Sequence, residues 1–245
     1  MIHRYIKSVS PLSKQFIALF LPRHCIIGKY LHRKNCNSSN PGDYCDGKEV
    51  KWPTGNRITF NFHPETEASF NQQINLEFKA FYYYLSMASY FGRVDVALPG
   101  CESFFTQMHE EEHEHALQCL NYIKMRGGKV DLCSIESPND QDWKCPINAF
   151  KTALQLEIDI TEQLVNLNTV ATNHGDLNAN DFIVTNFMES QMKSINEIAK
   201  FVTVLSGIGD QSLARFLFDK DLLENHVLPE FNVLKNKRSV HSTKK

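Results

Sequence analysis

The chain has 245 residues, of which 42% are hydrophobic and 22% are charged, and its formal net charge is −2. This composition is that of a globular protein and excludes wholesale disorder, and no stretch approaches the roughly 20 consecutive apolar residues of a membrane-spanning helix. The near-neutral total averages a basic start, an acidic centre and a basic tail, and an acidic centre argues against a nucleic-acid-binding core.

The first segment is basic and contains no acidic residue through position 42. Its Lys and Arg residues are interleaved with Ser and apolar residues, which is typical of a mitochondrial transit peptide and predicts import into mitochondria. A secretory signal is one alternative, although the apolar stretch at residues 16–21 is shorter than the usual length of about 7–15 residues. An uncleaved extension on a cytoplasmic protein is the other alternative.

Residues 35–60 are rich in Asn, Ser, Gly and Pro, and this composition predicts a linker. Asn37 begins a glycosylation sequon within it, which matters only if the chain is secreted. We therefore predict three parts: a targeting leader with its linker at 1–58, a helical domain at 59–224 and a basic tail at 225–245.

The central region is predicted to be all-α. Apolar residues recur at helical intervals along stretches free of Gly and Pro, and glycines follow most of these stretches. The predicted helices cover residues 64–91, 99–125, 146–173, 178–206 and, more briefly, 211–224. Four long amphipathic helices imply a four-helix bundle with a short fifth helix, and the long connection at 128–145 implies one crossover along the bundle.

Six polar residues lie near the middle of these four long helices: Glu77, Tyr84, Glu112, His115, Glu157 and Gln191. Glu112 and His115 are three residues apart and therefore share one helix face. A carboxylate from one helix and a Glu-x-x-His from another are the parts of a di-iron carboxylate bundle. Oxygen ligands with imidazole suit iron and other first-row metals, and no thiolate is placed to favour zinc.

A second motif overlaps the first. Residues 109–113 read His-Glu-Glu-Glu-His, which matches the zinc-protease signature with His109 and His113 as ligands and Glu110 as the base. The match lies in a run rich in Glu and His, where it arises easily by composition. The other three helices make the protease the weaker alternative.

Around the six polar residues, the sequence resembles ferritins of the heavy, ferroxidase-competent type. The matching phrases run in order through residues 59–222, and they are QINLE at 73–77, YLSM at 84–87, DVAL at 95–98, EHA at 114–116, RGG at 126–128, NA at 148–149, DFI at 181–183 and LFDK at 217–220. Mitochondrial ferritins of animals also carry a basic leader ahead of such a domain, so the resemblance agrees with mitochondrial import.

The resemblance implies two adjacent iron sites in each subunit. Glu77, Glu112 and His115 would hold the first iron, Glu157 and Gln191 would help to hold the second, Glu112 would bridge them and Tyr84 would be the nearby phenol. It also implies that Fe(II) and O2 are the substrates, and that a homo-oligomeric shell of twenty-four subunits stores a ferric oxide mineral. Co-assembly with other ferritin chains is open, and no nucleic-acid or membrane partner is implied. A catalytically inactive structural subunit is the alternative.

Three positions depart from the family pattern. The inner-surface residues that nucleate mineral correspond to Glu111 and Glu114, but Leu117 stands at the third position. The three-fold channel keeps Asp181, whereas Val184 replaces a second acid. Asp221 stands near the four-fold axis, where His is common. Weaker nucleation and weaker attraction of Fe(II) are the expected consequences.

Overall fold

Residues 59–235 are described by the computed structural model of the protein, and all regular elements in this range are helices. They are α1 (Pro64–Phe91), α2 (Pro99–Met125), α3 (Pro146–Asn173), α4 (Leu177–Ile183), a π-helical segment (Val184–Met188), α5 (Glu189–Ile208), α6 (Ser212–Asn225) and a 3-10 turn (Pro229–Phe231). The all-α prediction is confirmed. The predicted leader at 1–58 and residues 236–245 of the tail lie outside the described residues.

The three longest helices begin in the same way. α1, α2 and α3 each start with a proline, whose fixed φ suits the first helical position and whose missing N–H would have no partner there. Gly127 and Gly175 follow the ends of α2 and α3 with φ of 75° and 66°, a conformation that glycine adopts without steric cost. The predicted bounds of these helices are therefore reproduced.

The connection between α2 and α3 runs along α1. The Lys129 amide donates to Glu67 Oε1 at 2.8 Å near the start of α1, and the Trp143 indole donates to Ser86 Oγ at 3.2 Å near its end. About 19 residues of helix separate these two contacts, which is roughly 28 Å at 1.5 Å per residue. The single crossover predicted from the length of this segment is confirmed, and it makes α2 and α3 run in the same direction.

The fourth long helix differs from the prediction because it is not one regular α-helix. It runs from Leu177 to Ile208, and the π-helical segment interrupts it at Val184–Met188. Such a segment widens the helix locally and is frequent at functional sites. It places Phe187 in the core with its ring 5.5 Å from the His115 ring, so the irregularity lies beside one of the predicted metal ligands.

The core contains two aromatic groups at opposite ends of the bundle. One comprises Phe62, Phe70, Tyr122, Phe182 and Phe187, and the other comprises Phe91, Phe104, Phe105, Phe150, Phe201 and Phe218. The first group meets His115 through Phe187, and the second meets Tyr84 through Phe105. The predicted polar site therefore lies between two apolar, close-packed regions.

α6 covers one end of the bundle. The Cys101 amide donates to Asp219 Oδ1 at 2.8 Å, and a side chain at Gly100 would meet the Asp219 carbonyl oxygen at 2.0 Å, so only glycine fits this contact. The chain then continues along α2, where the Leu228 amide donates to Gln107 Oε1 at 3.0 Å. Within residues 59–235, none of the helices combines the length and apolar character needed to cross a membrane.

Candidate metal centre

Two neighbouring helices bring three ligand-type side chains together in the bundle. Glu77 of α1 and Glu112 and His115 of α2 each offer a ligand atom, and these atoms all lie within 4.8 Å of one another. Both glutamates are buried, and His115 Nδ1 lies 3.3 Å from Glu112 Oε2. We call these three residues the buried ligand group. The Glu-x-x-His spacing achieves this because residues three apart on a helix share a face.

The third and fifth helices complete the polar interior. Tyr84 donates to Glu157 Oε1 at 2.5 Å, and both side chains are buried. Thr161, one turn beyond Glu157, donates to the Glu157 carbonyl oxygen at 2.7 Å and lies 3.5 Å from Gln191 Oε1. Tyr84 therefore contacts Glu157 directly, and the Thr161 hydroxyl links Glu157 to Gln191.

Burial changes the protonation of these carboxyl groups. Removal from water raises the pKa of Glu77 well above its usual value, and the charge of Glu112 adds to the effect. Burial also raises the pKa of Glu112, with a further contribution from the charge of Glu157. The pKa of Glu157 rises to about 7, chiefly through burial, although the hydrogen bond from Tyr84 opposes the rise. All three carboxyl groups are therefore more readily protonated in the folded protein than a glutamate in water.

Two of these glutamates have an oxygen that is buried and accepts no hydrogen bond. Within the described part of the chain, Oε2 of Glu77 and Oε2 of Glu157 have no donor, whereas Oε1 of Glu77 accepts from Gln73 at 2.6 Å. Buried carboxylate oxygens without partners are costly unless a proton or a cation compensates them. The donor set of carboxylates and one imidazole fits a first-row metal cation such as iron.

A thiol also lies close to this space. Cys119 is buried, and burial raises the pKa of its thiol well above the usual value, with the charge of Glu77 contributing. A thiol that stays protonated is a poor metal ligand, because the thiolate is the form that binds metal. Cys119 therefore acts as a small apolar side chain.

The structure argues against the zinc-protease alternative. The His109 ring stacks on Phe81 at 4.0 Å, and its Nδ1 donates to the Phe81 carbonyl oxygen at 3.0 Å. The His113 ring also packs near Phe81, at 5.5 Å. Among residues 59–235, neither histidine belongs to a group of three metal-ligand side chains.

The predicted nucleation residues lie on α2 next to the buried ligand group. Glu111 accepts from Gln107 at 3.0 Å, and burial raises its pKa, with the charges of Glu197 and Glu114 adding to the effect. Glu114 is exposed, and Leu117 is 39% exposed one turn later. Leu117 supplies no carboxylate at the third position. A different carboxylate, that of Glu197 on α5, is close enough for its charge to affect the pKa of Glu111.

The predicted channel residues lie at the end of α4 and the start of the π-helical segment. Asp181 is exposed and lies 3.5 Å from the Thr185 hydroxyl, and Val184 is 53% exposed. Asp221 of α6 is exposed and accepts from Asn225 at 2.7 Å. None of these residues contacts the buried ligand group in a single subunit, so their predicted roles depend on assembly.

Two further residues of the site, Gln73 and Thr161, are not among those predicted from the sequence. Each lies four residues from a glutamate of the site on the same helix, Gln73 before Glu77 and Thr161 after Glu157. Helical spacing was therefore the available signal, because residues four apart are neighbours on a helix. The Gln73 amide holds the carboxylate of Glu77, and the Thr161 hydroxyl holds the backbone carbonyl of Glu157.

The chain is similar to known proteins over this same region. A sequence model of the ferritin-like domain family matches residues 67–208. The chain is 42% identical over 165 residues to soma ferritin of Lymnaea stagnalis, an alignment that covers 67% of this chain and 94% of that relative. The matched region contains all six residues of the predicted iron site.

Proposed function

The chain belongs to the ferritin family, whose members store iron, and we propose that it is a ferroxidase-competent subunit that oxidises Fe(II) with O2 at the buried site and deposits ferric oxide. The single observation that supports catalysis most strongly is the set of buried glutamates with unpartnered oxygens, Glu77 and Glu157. An inactive structural subunit would have no need to retain buried carboxylates at this cost.

In this proposal Fe(II) is the substrate. Glu77, Glu112 and His115 hold one ion, Glu157 and Gln191 help to hold a second, and Glu112 is shared. Two Fe(II) ions supply the two electrons that reduce O2 to the level of hydrogen peroxide, and two protons complete that product. Metal binding displaces protons from the carboxyl groups, whose pKa values burial has raised, so binding and proton release are coupled.

The second ion has the weaker set of ligands. Gln191 offers a neutral amide oxygen, and its Oε1 already lies near the Thr161 hydroxyl. A weaker hold suits an enzyme that must release ferric product to a mineral. Tyr84 orients Glu157 by donating a hydrogen bond to one oxygen, which leaves the other oxygen available for the metal.

Aerobic oxidation of Fe(II) by the purified, iron-free protein tests the proposal. We expect rapid appearance of the ultraviolet absorbance of ferric product, with O2 uptake in proportion to the two-electron step. Oxidation no faster than in buffer would support the inactive structural subunit instead. Inhibition by Zn²⁺ added before Fe(II) would tie the activity to a metal site.

We also propose assembly into a multisubunit shell, with twenty-four subunits as the specific expectation. Large apolar side chains are exposed on the outside of the described domain, among them Val184 at 53%, Leu213 at 68%, Phe216 at 60% and Leu217 at 55%. Exposed apolar surface of this kind marks contact sites between proteins. Native mass measurement and electron microscopy would give the number of subunits, and mixing with a second ferritin chain would test co-assembly.

Mitochondrial import is a further proposal, and the acid-free basic composition of residues 1–42 supports it. Residues 1–60 fused to a fluorescent protein should reach mitochondria and lose most of the leader. Appearance of the fusion in the medium, with sugar on Asn37, would favour secretion, and diffuse cytoplasmic signal would favour the uncleaved extension. The division into 1–58, 59–224 and 225–245 stays a prediction that the observed cleavage point would test.

A further inference from the structure

We propose a second metal site, separate from the buried ligand group, formed by His63, Glu65 and His174 and able to bind a divalent transition-metal ion such as Zn²⁺. Each residue offers one ligand atom, and these atoms all lie within 4.8 Å of one another. We call these three residues the exposed ligand group. The proposal is independent of ferroxidase activity.

Two helix ends bring these residues together. His63 precedes α1 and Glu65 lies in its first turn, while His174 follows the last residue of α3. The two imidazole rings stack with their centroids 3.5 Å apart, and His174 Nε2 donates to Glu65 Oε2 at 2.9 Å. Two imidazoles and a carboxylate are therefore already in contact with one another, although His63 and His174 are 111 positions apart in the chain.

The backbone around the exposed ligand group is well anchored. The Asn61 side chain donates to the Gly175 carbonyl oxygen at 3.1 Å, which ties the segment before α1 to the segment after α3. Arg126 donates to the Phe60 carbonyl oxygen at 3.1 Å and pairs with the buried Asp176 at 2.9 Å. These contacts hold the two segments together without using any of the three proposed ligands, so the site is preorganised by its surroundings.

The donor set determines which ions fit. Two histidines with one carboxylate leave open coordination positions, a combination that proteins use for zinc and for non-haem Fe(II). Affinity for such a site rises from Fe²⁺ to Cu²⁺ and remains high for Zn²⁺, so Zn²⁺ is the better probe.

Binding requires a small local rearrangement. Stacked rings, here 14° from parallel, do not aim their nitrogen lone pairs at one point, so at least one ring must rotate about its Cβ–Cγ bond. His63 caps α1, because its Nδ1 accepts a hydrogen bond from the Glu65 amide at 3.2 Å. If the ring proton moves to Nδ1, this nitrogen can no longer accept, and the capping hydrogen bond is lost. His63 and Glu65 are exposed, so the rotation meets little steric resistance.

The exposed ligand group is too far from the buried one to share an ion with it. His63 lies just before α1 and Glu77 is 14 positions later, which is about 21 Å at roughly 1.5 Å per helical residue. Zn²⁺ that binds at both groups should therefore be counted as separate ions, and a change at one group should leave the other intact.

Equilibrium dialysis of the assembled, iron-free protein against Zn²⁺ tests the proposal. We expect His174→Ala to bind one Zn²⁺ per chain fewer than wild type, or to bind that ion at least about tenfold more weakly. Loss of a residue that only supports a metal ligand already lowers metal affinity about 10–100-fold, and loss of a ligand itself should lower it at least as much. Glu65→Gln should weaken the same ion. Variants of His63 are avoided because His63 caps α1.

His226→Ala is the matched control. His226 pairs with Glu197 at 2.8 Å and is also partly exposed, but in the described part of the chain this pair has no third ligand. Wild-type stoichiometry is expected for this control. In crystals soaked with Zn²⁺, an anomalous peak is expected between the three ligands in wild type and absent in His174→Ala. Equal Zn²⁺ binding by wild type and His174→Ala, or equal loss in His226→Ala, would overturn the proposal.

Discussion

The molecule contains two groups of ligand-type side chains that differ mainly in their exposure to water. The buried ligand group has two carboxylates and one imidazole inside the bundle, and the exposed ligand group has two imidazoles and one carboxylate at its end. Burial raises the pKa of Glu77, whereas the hydrogen bond from His174 lowers the pKa of Glu65. The same kinds of side chain therefore favour opposite protonation states.

This difference has consequences for cation binding. In the buried ligand group the charge of Glu112 opposes that of Glu77, and one oxygen of Glu77 accepts no hydrogen bond, so a cation removes an existing cost. In the exposed ligand group the carboxylate already has a partner, so a cation must replace the contact between Glu65 and His174. We therefore expect strong coupling of metal binding to function at the first group and little at the second.

The largest expected effect comes from removing ligands of the buried group. Glu112→Ala combined with His115→Ala should lower the rate of Fe(II) oxidation by about a hundredfold or more, because even residues that only support a metal ligand are worth about 10–100-fold. Stopped-flow absorbance of ferric product gives the rate, and native mass shows whether the shell still forms.

The matched variant changes the exposed group in the same way. Glu65→Ala combined with His174→Ala should keep the oxidation rate within about twofold of wild type, since these residues lie roughly 20 Å from Glu77. A wild-type rate in the Glu112 and His115 variant would remove the di-iron assignment. An equal loss in both variants would instead mean that the two groups act together.

The second effect concerns stability and pH. A carboxyl group whose pKa is raised in the folded state binds more protons there than in the unfolded state, so folded-state stability falls as pH rises between the two pKa values. For Glu157 these values are 4.5 and about 7. We expect the Tm of the iron-free protein to fall from pH 5 to pH 7, through a loss of up to about 3 kcal/mol from this group.

Two comparisons isolate this effect. Glu157→Gln keeps an oxygen that can accept from Tyr84 but cannot titrate, so its Tm should change less over the same pH range. Zn²⁺ should raise the Tm most at pH 7, where the carboxylates are ionised. If the wild-type Tm instead rises from pH 5 to pH 7 by as much as the Tm of Glu157→Gln does, the raised pKa of Glu157 is contradicted.

A third, smaller effect is expected at the hydrogen bond between Tyr84 and Glu157. Tyr84→Phe removes the hydrogen bond that Glu157 Oε1 accepts, and because this bond opposes the rise of the Glu157 pKa, its loss raises that pKa further. Fe(II) oxidation at neutral pH should slow by about tenfold, as expected for a residue that supports a metal ligand. Recovery at higher pH would identify protonation of Glu157 as the cause, and an identical defect at every pH would contradict it.

The helices and the buried group were predictable from local patterns. Proline at the start and glycine after the end marked α2, and the Glu-x-x-His spacing placed two ligands on one helix face. The π-helical segment was not predictable, because residues 184–188 contain no Gly or Pro and nothing in their local pattern indicates a widened turn. Within the segment, Phe187 is buried and packs against His115 of α2, a contact that local sequence does not reveal.

The exposed ligand group could not be predicted either, for a different reason. His63 and His174 come from helix ends far apart in the sequence, and their contact depends on the anchoring bond from Asn61 to Gly175. A ligand pair on one helix leaves a signature in spacing, whereas a pair formed by two helix ends leaves none. The sequence pattern therefore predicts the buried ligand group and gives no sign of the exposed one.

The smallest expected effect separates the two groups by how ions reach them. Ions must enter the interior to reach the buried ligand group, whereas the exposed ligand group meets solvent directly. The resemblance to ferritins implies that Asp181 and Val184 would line a three-fold channel of the proposed shell, and both are exposed in the single subunit. Rings of acidic side chains draw cations into pores, and in the proposed shell Val184 would leave out one such ring.

Val184→Glu should therefore speed Fe(II) oxidation about two- to threefold at low Fe(II), most clearly at low ionic strength, where screening of the added charge is weakest. Asp181→Ala should slow oxidation under the same conditions, and Val184→Gln controls for size without charge. Zn²⁺ occupancy of His63 and His174 should not change in any of these variants, because that group needs no channel. If all three variants oxidise Fe(II) at the wild-type rate at every salt concentration, the ions enter by another route, and Asp221 near the four-fold axis is the next position to change.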